Sequence, residues 1–451
     1  MMSNLVVHFL TRNANRLHAM RWIRSLHIKM PIIHVPAVFM FGKTSSVRSF
    51  SEKVSSTSSK LISKSGSDNG FNKVQAIFAS DDGKFVNVSW NDGRVTHYPY
   101  IWLRDNCRCK HCYDFNLNER VFSLKDINAS ATLHFSELAE DSTLKLHDTS
   151  GHTTVIHPSW LKDRNVGEIR SDPLIKQIHW GSDVMTYLPR FQYDDVINNS
   201  TTLYKWMKCT KEYGLSWIKG APTQNDELRT LGKRLAHLRE TFYGVVSRVE
   251  SKADPFFLGY TSKELPLHTD YTYGANIPGI VFLHGIKCAP SGGKSWLVDG
   301  FKLAKDLKKN DPTAFKLLST GILNYEMNGF DIGPQFDHRC NTQVIRVNWR
   351  GDVDKIAYND YTRTEYLTNI SVDDMPAYYE ALTKFISMAY SQEYLLEAMI
   401  EEGDIVAIDN LRLLHGRDKF EISDGKGRIV ESICIDMDDF NSRLRVLSQS
   451  S

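Results

Sequence analysis

Three residues set the hardest condition on how this chain folds: His268, Asp270 and His415 are chemically useful together only if they meet. His268-Thr-Asp270 offers an imidazole and a carboxylate from neighbouring positions, and His415 ends the much later run Asn410-Leu-Arg-Leu-Leu-His415. Two nitrogens and one oxygen are a ligand mixture suited to non-haem Fe(II), and they leave coordination positions open for reactants. Arg428, soon after His415, supplies a bidentate fork for the carboxylate of an acidic co-substrate. Together these residues point to an iron oxygenase that uses 2-oxoglutarate. His-x-Asp alone is weak, because many surface turns contain it. Arg428 alone would serve equally well as an ion-pair partner for Glu431.

Bringing such distant ligands together favours extended segments that return to one mouth. The patterns at 265–270, 279–284, 296–299, 405–408 and 428–435 read as strands, with helical excursions at 194–211, 225–238, 301–310, 311–319 and 377–399. The expectation is a mainly β catalytic domain over 189–451, a double-stranded β-helix (jelly-roll) with helical insertions. Ahead of it, residues 74–165 read as a small antiparallel β domain. Turns at Asp81-Asp82-Gly83 and Asn91-Asp92-Gly93 separate short alternating strands there. Residues 166–188 read as a connector.

Residues 1–51 contain no Asp or Glu yet carry Arg12, Arg16, Arg21, Arg24, Lys29, Lys43 and Arg48 among apolar residues. That is the composition of a mitochondrial presequence, followed by a flexible linker over 52–73. A disordered basic tail is the plainer alternative and leaves a cytoplasmic location open. The formal charge of +2 on 451 residues implies no special affinity for nucleic acid. No apolar run is long enough to span a bilayer.

The chain has seven cysteines, and three crowd together at Cys107, Cys109 and Cys112. Core packing explains such crowding poorly, whereas Zn(II) accepts thiolates and imidazoles in tetrahedral closure. His111, His147, His152 and His157 are all candidates for a fourth ligand. A full shell of protein ligands would make this metal structural.

From about residue 102 to 447 the chain resembles the γ-butyrobetaine dioxygenase and trimethyllysine dioxygenase family. The resemblance is carried by Trp102-Leu-Arg-Asp-Asn106 with the cysteine trio, Thr241-Phe-Tyr-Gly244, His268-Thr-Asp270 and Val298-Asp-Gly-Phe301. Asn410-Leu-Arg-Leu-Leu-His-Gly-Arg417 and Ser442-Arg-Leu-Arg-Val446 extend it. The cysteine trio favours the butyrobetaine branch. By this resemblance zinc falls on Cys107, Cys109, Cys112 and His152, and iron on His268, Asp270 and His415. Arg428 holds the distal carboxylate of 2-oxoglutarate, Leu283 lines the co-substrate site, Asn359 approaches the substrate carboxylate, and Tyr243 and Tyr260 belong to an aromatic cage. The resemblance further implies a homodimer, ascorbate as a reductant, and hydroxylation of γ-butyrobetaine to L-carnitine with release of succinate and CO2. Trimethyllysine, another small amine or carboxylate, and an inactive interaction protein are the alternatives.

Three positions depart from the family pattern. Ser247 stands where a cage Trp is expected, Cys434 where a Tyr is expected, and Phe257 where an Asn is expected. A desolvated cation–π contact is worth up to about 2 kcal/mol, so two lost rings would cost a few kcal/mol unless Phe256, Phe257, Tyr271 or Tyr273 rebuild the surface.

Overall fold

The computed structural model describes residues 73–449 apart from 141, 163, 165, 168–175, 225 and 424–426. The expected presequence over 1–51 and nearly all of the linker over 52–73 lie outside the described residues. The chain divides into two compact units, Met1–Glu168 and Ile169–Ser451.

In the first unit, β1 (Val74–Ala79), β2 (Phe85–Trp90) and β3 (Val95–Pro99) form an antiparallel meander. Alternation in β2 turns Val86, Val88 and Trp90 inward, where they meet Leu103 of helix α1 (Tyr100–Asp105). A second meander of β4 (Leu133–Leu138), β5 (Leu144–Asp148) and β6 (Thr153–Ile156) adds Leu144, Leu146 and Ile156 to the same core. Gly83 is required at the first turn: its φ is +66°, and a Cβ there would sit 2.6 Å from the Leu133 carbonyl oxygen.

The second unit is built on two sheets. The larger combines β7 (Arg190–Gln192), β8 (Leu215–Lys219), β9 (Ser247–Val249), β11 (Ile280–Lys287), β16 (Ile405–Asp409) and β18 (Ile429–Ile435), in the order β9-β18-β11-β16-β8-β7. The smaller runs β10-β17-β12-β15, from β10 (Leu265–His268), β12 (Ser295–Asp299), β15 (Leu396–Ala398) and β17 (Leu413–Arg417). All pairings are antiparallel except that of β7 with β8. A hairpin of β13 (Ile322–Gly329) and β14 (Phe336–Thr342) belongs to a separate sheet.

Burial explains why the central strands read as continuous apolar runs. In β16, Val406 and Ile408 share a core with Leu297, Leu396 and Leu413 of the smaller sheet. Ile405 and Ala407 point the other way. They pack on Trp206 and Met207 of α2 (Ser200–Tyr213), Leu228 and Leu231 of α3 (Glu227–Leu235), and Phe440 and Leu444 of α7 (Met437–Ser448). A strand covered on both faces has no polar side to reveal. On its outer face the smaller sheet carries Trp296, Val298 and Leu414 against α4 (Gly300–Asn310), α5 (Pro312–Thr320) and α6 (Met375–Ala389). Two facing, mostly antiparallel sheets with helices outside are consistent with the expected jelly-roll.

Several local expectations need correction. The helix expected over 194–211 breaks at Asn199, whose side chain caps the second piece by accepting from the Thr201 and Thr202 amides. The helix expected over 377–399 ends at Ala389, and Leu396–Ala398 is strand β15. Residues 176–188, read as connector, carry Trp180, Val184 and Leu188 into the core between the sheets.

Arg412 ties three parts of the second unit together. Its Nε donates to Asp299 Oδ1 at 3.0 Å and its Nη2 to Asp299 Oδ2 at 2.7 Å. The same guanidinium donates to the Glu212 and Ile178 carbonyls, so a charge only 1% exposed is fully engaged. Asp299 also caps α4 by accepting from the Phe301 and Lys302 amides. The long-range placement of β17 is thereby anchored next to the ligand-bearing His415.

Candidate active site

Strand pairing settles whether the distant ligands meet. In β10 and β17, His268 and His415 are directly opposite one another. Both strands come unusually close here, since a Cβ on Gly416 would lie 2.7 Å from the Leu265 carbonyl oxygen. Asp270 follows β10, and Asn410 fixes its backbone from both sides. The Asn410 side chain accepts from the Asp270 amide at 2.8 Å and donates to the Asp270 carbonyl at 3.1 Å. Tyr271, next in the chain, has a left-handed φ of +60°, a strained conformation for a bulky residue held by its surroundings.

The result is a compact donor set. His268 Nε2 lies 3.4 Å from Asp270 Oδ1, and His415 Nε2 lies 3.5 Å from Asp270 Oδ2. The ligand atoms of all three residues are within 4.8 Å of one another. His268 Nδ1 is 2.8 Å from the Pro266 carbonyl, which places the proton on Nδ1 and leaves the Nε2 lone pair for a metal. Burial and the neighbouring His415 lower the His268 pKa, favouring the neutral ligand form. Burial alone would raise the Asp270 carboxyl, but His415 and His268 outweigh it and hold the group ionised. The residues therefore fit a divalent cation with a facial two-nitrogen, one-oxygen ligand set.

One cavity reaches this triad. Its lining includes His268, Asp270, His415, Tyr243, Leu283, Asn359 and Arg428, bringing together all but one of the residues expected at iron, co-substrate and substrate. Tyr260 is the exception: it is buried behind the wall, with its hydroxyl donated to Asp331. Arg428 does not pair with Glu431, which instead faces Arg248 at 4.0 Å. Instead Arg428 Nη2 reaches Ser295 Oγ at 3.5 Å, and burial together with Arg417 lowers its pKa to about 10. Arg417 also lines the cavity and donates to the Thr261 and Asp418 carbonyls. Neither guanidinium has a carboxylate partner among the described residues.

The aromatic surface is rearranged relative to the expected cage. Ser247, Cys434 and Phe257 all line the cavity, as do Tyr243, Tyr271, Tyr273 and Tyr361. The Tyr243 ring lies 6.1 Å from Tyr271 and 5.5 Å from Phe257, and Tyr361 meets His268 edge-on at 5.3 Å. Phe256 is not part of this lining. Burial raises the phenols of Tyr243, Tyr271 and Tyr273 well above their ordinary value, so these are neutral rings. The sequence reading assigned no role to Arg417, Ser295, Tyr361 or the Asn410 clamp. Arg417 and Asn410 nevertheless stand inside the motif that delivers His415.

Residues 174–434 match the family model described as taurine catabolism dioxygenase TauD, TfdA family. Residues 77–162 match the γ-butyrobetaine hydroxylase-like N-terminal model. The γ-butyrobetaine dioxygenase of Pongo abelii is 32% identical over 384 residues, covering 83% of this chain and 97% of that protein. The chain belongs to the TauD/TfdA dioxygenase family. Within it, the mitochondrial trimethyllysine dioxygenase of Mus musculus is 26% identical, over 75% of this chain and 83% of its own length. Among solved structures, PvcB from Pseudomonas aeruginosa aligns over 60% of this chain and 95% of its own, with a TM-score of 0.42 and 16% identity. As a member of this dioxygenase family, the chain is an enzyme that depends on Fe(II) and 2-oxoglutarate and acts with O2 on a small molecule.

The other donor cluster lies in the first unit. Cys107, Cys109, Cys112 and His152 also place their ligand atoms within 4.8 Å of one another. His152 Nε2 is 3.4 Å from Cys107 Sγ and 3.8 Å from Cys112 Sγ. The Cys109 and Val155 amides donate to Cys107 Sγ, as backbone commonly does around a thiolate ligand. Burial raises the Cys107 thiol to about 12, so a cation would be needed to hold it deprotonated. Of the other histidine candidates, His147 stacks on Phe135, His157 accepts from the Ser159 amide, and His111 is exposed and outside the donor cluster.

Proposed function

We propose that this dioxygenase hydroxylates γ-butyrobetaine to L-carnitine. The observation that carries the reading is an aromatic cavity, rimmed by neutral tyrosines, that reaches the His268–Asp270–His415 triad beside two buried arginines, Arg417 and Arg428, with no carboxylate partner among the described residues. A trimethylammonium group has no hydrogen-bond donor, and ring faces are its natural partner. Beside Tyr243, the residues Tyr271, Tyr273 and Phe257 offer rings in place of those absent at Ser247 and Cys434. Asn359, whose side chain accepts from the Tyr361 amide at 3.2 Å, stands where the substrate carboxylate would approach.

His268, Asp270 and His415 would hold the iron. When bound, iron and 2-oxoglutarate supply oxygen activation, with oxidation of the keto acid to succinate and CO2 coupled to hydroxylation of the substrate. Arg428, with Ser295 and Leu283, would orient the distal carboxylate, and Arg417 adds a second positive charge to that end. The rings would place the reacting carbon and exclude water from it.

Arg428→Ala should raise the KM for 2-oxoglutarate about thirtyfold or more, since truncating one partner of a buried charge pair costs about 2–5 kcal/mol. Iron content should be retained. Near-normal dependence on 2-oxoglutarate would remove Arg428 from this role. We also propose a structural zinc on Cys107, Cys109, Cys112 and His152, a homodimer, and import into the mitochondrial matrix, the last on the basic composition of 1–51.

The deciding assay is succinate formation by iron-loaded protein with butyrobetaine, trimethyllysine and their non-methylated analogues. Selective coupled turnover of butyrobetaine is expected. Selective turnover of trimethyllysine would reassign the substrate. No coupled turnover across the panel, with iron and 2-oxoglutarate bound, would defeat both assignments.

A further inference from the structure

Tyr260 would be expected to face a substrate cation, yet one of its neighbours is a cation of the chain itself. The Lys252 ammonium lies 3.5 Å from the centroid of the Tyr260 ring. That ammonium pairs with Asp331 Oδ1 at 2.9 Å, and the Tyr260 hydroxyl donates to Asp331 Oδ2. Tyr260 also packs on Phe257 at 4.3 Å and meets Tyr243 edge-on at 6.3 Å, and both of those rings line the cavity. A positive charge therefore stands one ring behind the wall that would receive an onium group.

Asp331 is brought there by the turn between β13 and β14. The adjacent Ile332 amide donates to the Phe242 carbonyl at 3.2 Å, and Phe336 stacks on Phe242 at 3.8 Å. These contacts fix the turn against the segment that carries Tyr243. We propose that Asp331 is a specificity-determining positioning residue: it neutralises Lys252 behind the Tyr243–Phe257 wall and so makes the cavity acceptable to a cationic substrate. This inference rests on a quaternary ammonium being the substrate. It differs from a plain structural tie, because the effect of Asp331 runs through the charge of Lys252.

Kinetics of the full-length, iron-loaded enzyme test it, with 5,5-dimethylhexanoate as the isostere of butyrobetaine that keeps the carboxylate and carries a neutral tert-butyl head in place of the onium. Asp331→Asn keeps an acceptor for Tyr260 but leaves Lys252 uncompensated. It should raise the KM for butyrobetaine about tenfold, as a like charge behind one ring and partly screened by solvent would. The KM for 2-oxoglutarate and the inhibition constant of the isostere should stay within about twofold. Adding Lys252→Met to Asp331→Asn should restore the butyrobetaine KM to within about twofold of wild type. Lys252→Met alone should leave that KM unchanged or lower it, and it remains informative if Asp331→Asn folds poorly. Equal weakening of butyrobetaine and isostere, or no recovery in the double variant, would overturn the charge role while leaving the substrate assignment intact. Absence of onium turnover in the wild type would instead overturn the substrate assignment, and this inference with it.

Discussion

Asp270→Asn should yield a folded protein that forms no succinate and retains no stoichiometric iron. The amide is nearly the same size as the carboxylate, so the expected loss is chemical. Asn410 grips the backbone amide and carbonyl of Asp270, not its side chain, so the local chain path survives the change. The carboxylate itself spans both imidazoles, at 3.4 Å from His268 and 3.5 Å from His415. An amide brings no negative charge to that point and turns a donor toward one of the two nitrogens. With only two neutral imidazoles left, a ferrous ion loses the anionic oxygen that the site offers it. Thermal unfolding separates this from misfolding. Iron with 2-oxoglutarate at a hundredfold over Kd should stabilise the wild type by about 2.7 kcal/mol and the variant not measurably. Coupled turnover by purified Asp270→Asn, with iron content near one equivalent, would take Asp270 out of the ligand set.

The convergence behind this prediction was partly legible in the sequence. His268 ends an extended pattern that reads as a strand, and His415 follows another at 405–408; that His415 sits in a strand of its own, paired directly opposite His268, cannot be counted from the sequence. Leu283 reaches the cavity from within β11, and Arg428, one residue ahead of β18, shares its side with Val430, Ser432 and Cys434 of that strand. Tyr260 shows the limit of motif reasoning. Its position agrees with the family pattern, but Lys252 and Asp331, from elsewhere in the chain, draw it behind the wall. Tyr273, a candidate for rebuilding the aromatic surface, does line the cavity, whereas Tyr361 has no sequence signal, since a tyrosine near a ligand is as often packing as lining.

Other misses have equally local causes. The β13–β14 hairpin was not anticipated because Phe336-Asp-His-Arg-Cys-Asn-Thr342 is mostly exposed and shows no apolar alternation. The helix expected over 377–399 was extended too far because Tyr394, Leu395 and Met399 continue a helical spacing, whereas Leu396–Ala398 pairs with β12. Trp180 lay in a stretch without periodicity. Its burial depends on a single indole whose Nε1 donates to the Tyr213 carbonyl at 2.6 Å, a contact no window of composition reveals.

Cys112→Ser should strip the first unit of the proposed zinc and lower its unfolding temperature by more than about 10 °C, while iron content in the second unit stays unchanged. The first unit has a modest core, dominated by Trp90, Leu103, Leu133, Leu144, Leu146, Ile156 and Leu161, under two three-stranded meanders. The cysteine loop after α1 joins His152, at the start of β6, through the donor cluster and through the Arg108 amide bonded to the Val155 carbonyl at 2.8 Å. A tetrahedral ion there would cross-link both meanders, and its binding energy would count directly toward folding. Losing a ligand should weaken zinc by more than the 10–100-fold typical of an outer-shell change, that is by more than about 2.7 kcal/mol. For a domain of this size each kcal/mol shifts the unfolding temperature by about 4–8 °C, which gives the stated drop. Serine is a fair probe because it keeps the shape of the side chain and removes only the thiolate. Cys340→Ser, outside the cluster, should leave both zinc and unfolding temperature unaltered. In the wild type, removing iron with a chelator selective for it should leave one equivalent of zinc behind. A natively folded wild-type protein with no zinc would overturn the assignment and recast the trio as buried thiols, held by the Cys109 and Val155 amides at Cys107 and by the Arg104 Nη1 donation to Cys112 at 3.5 Å.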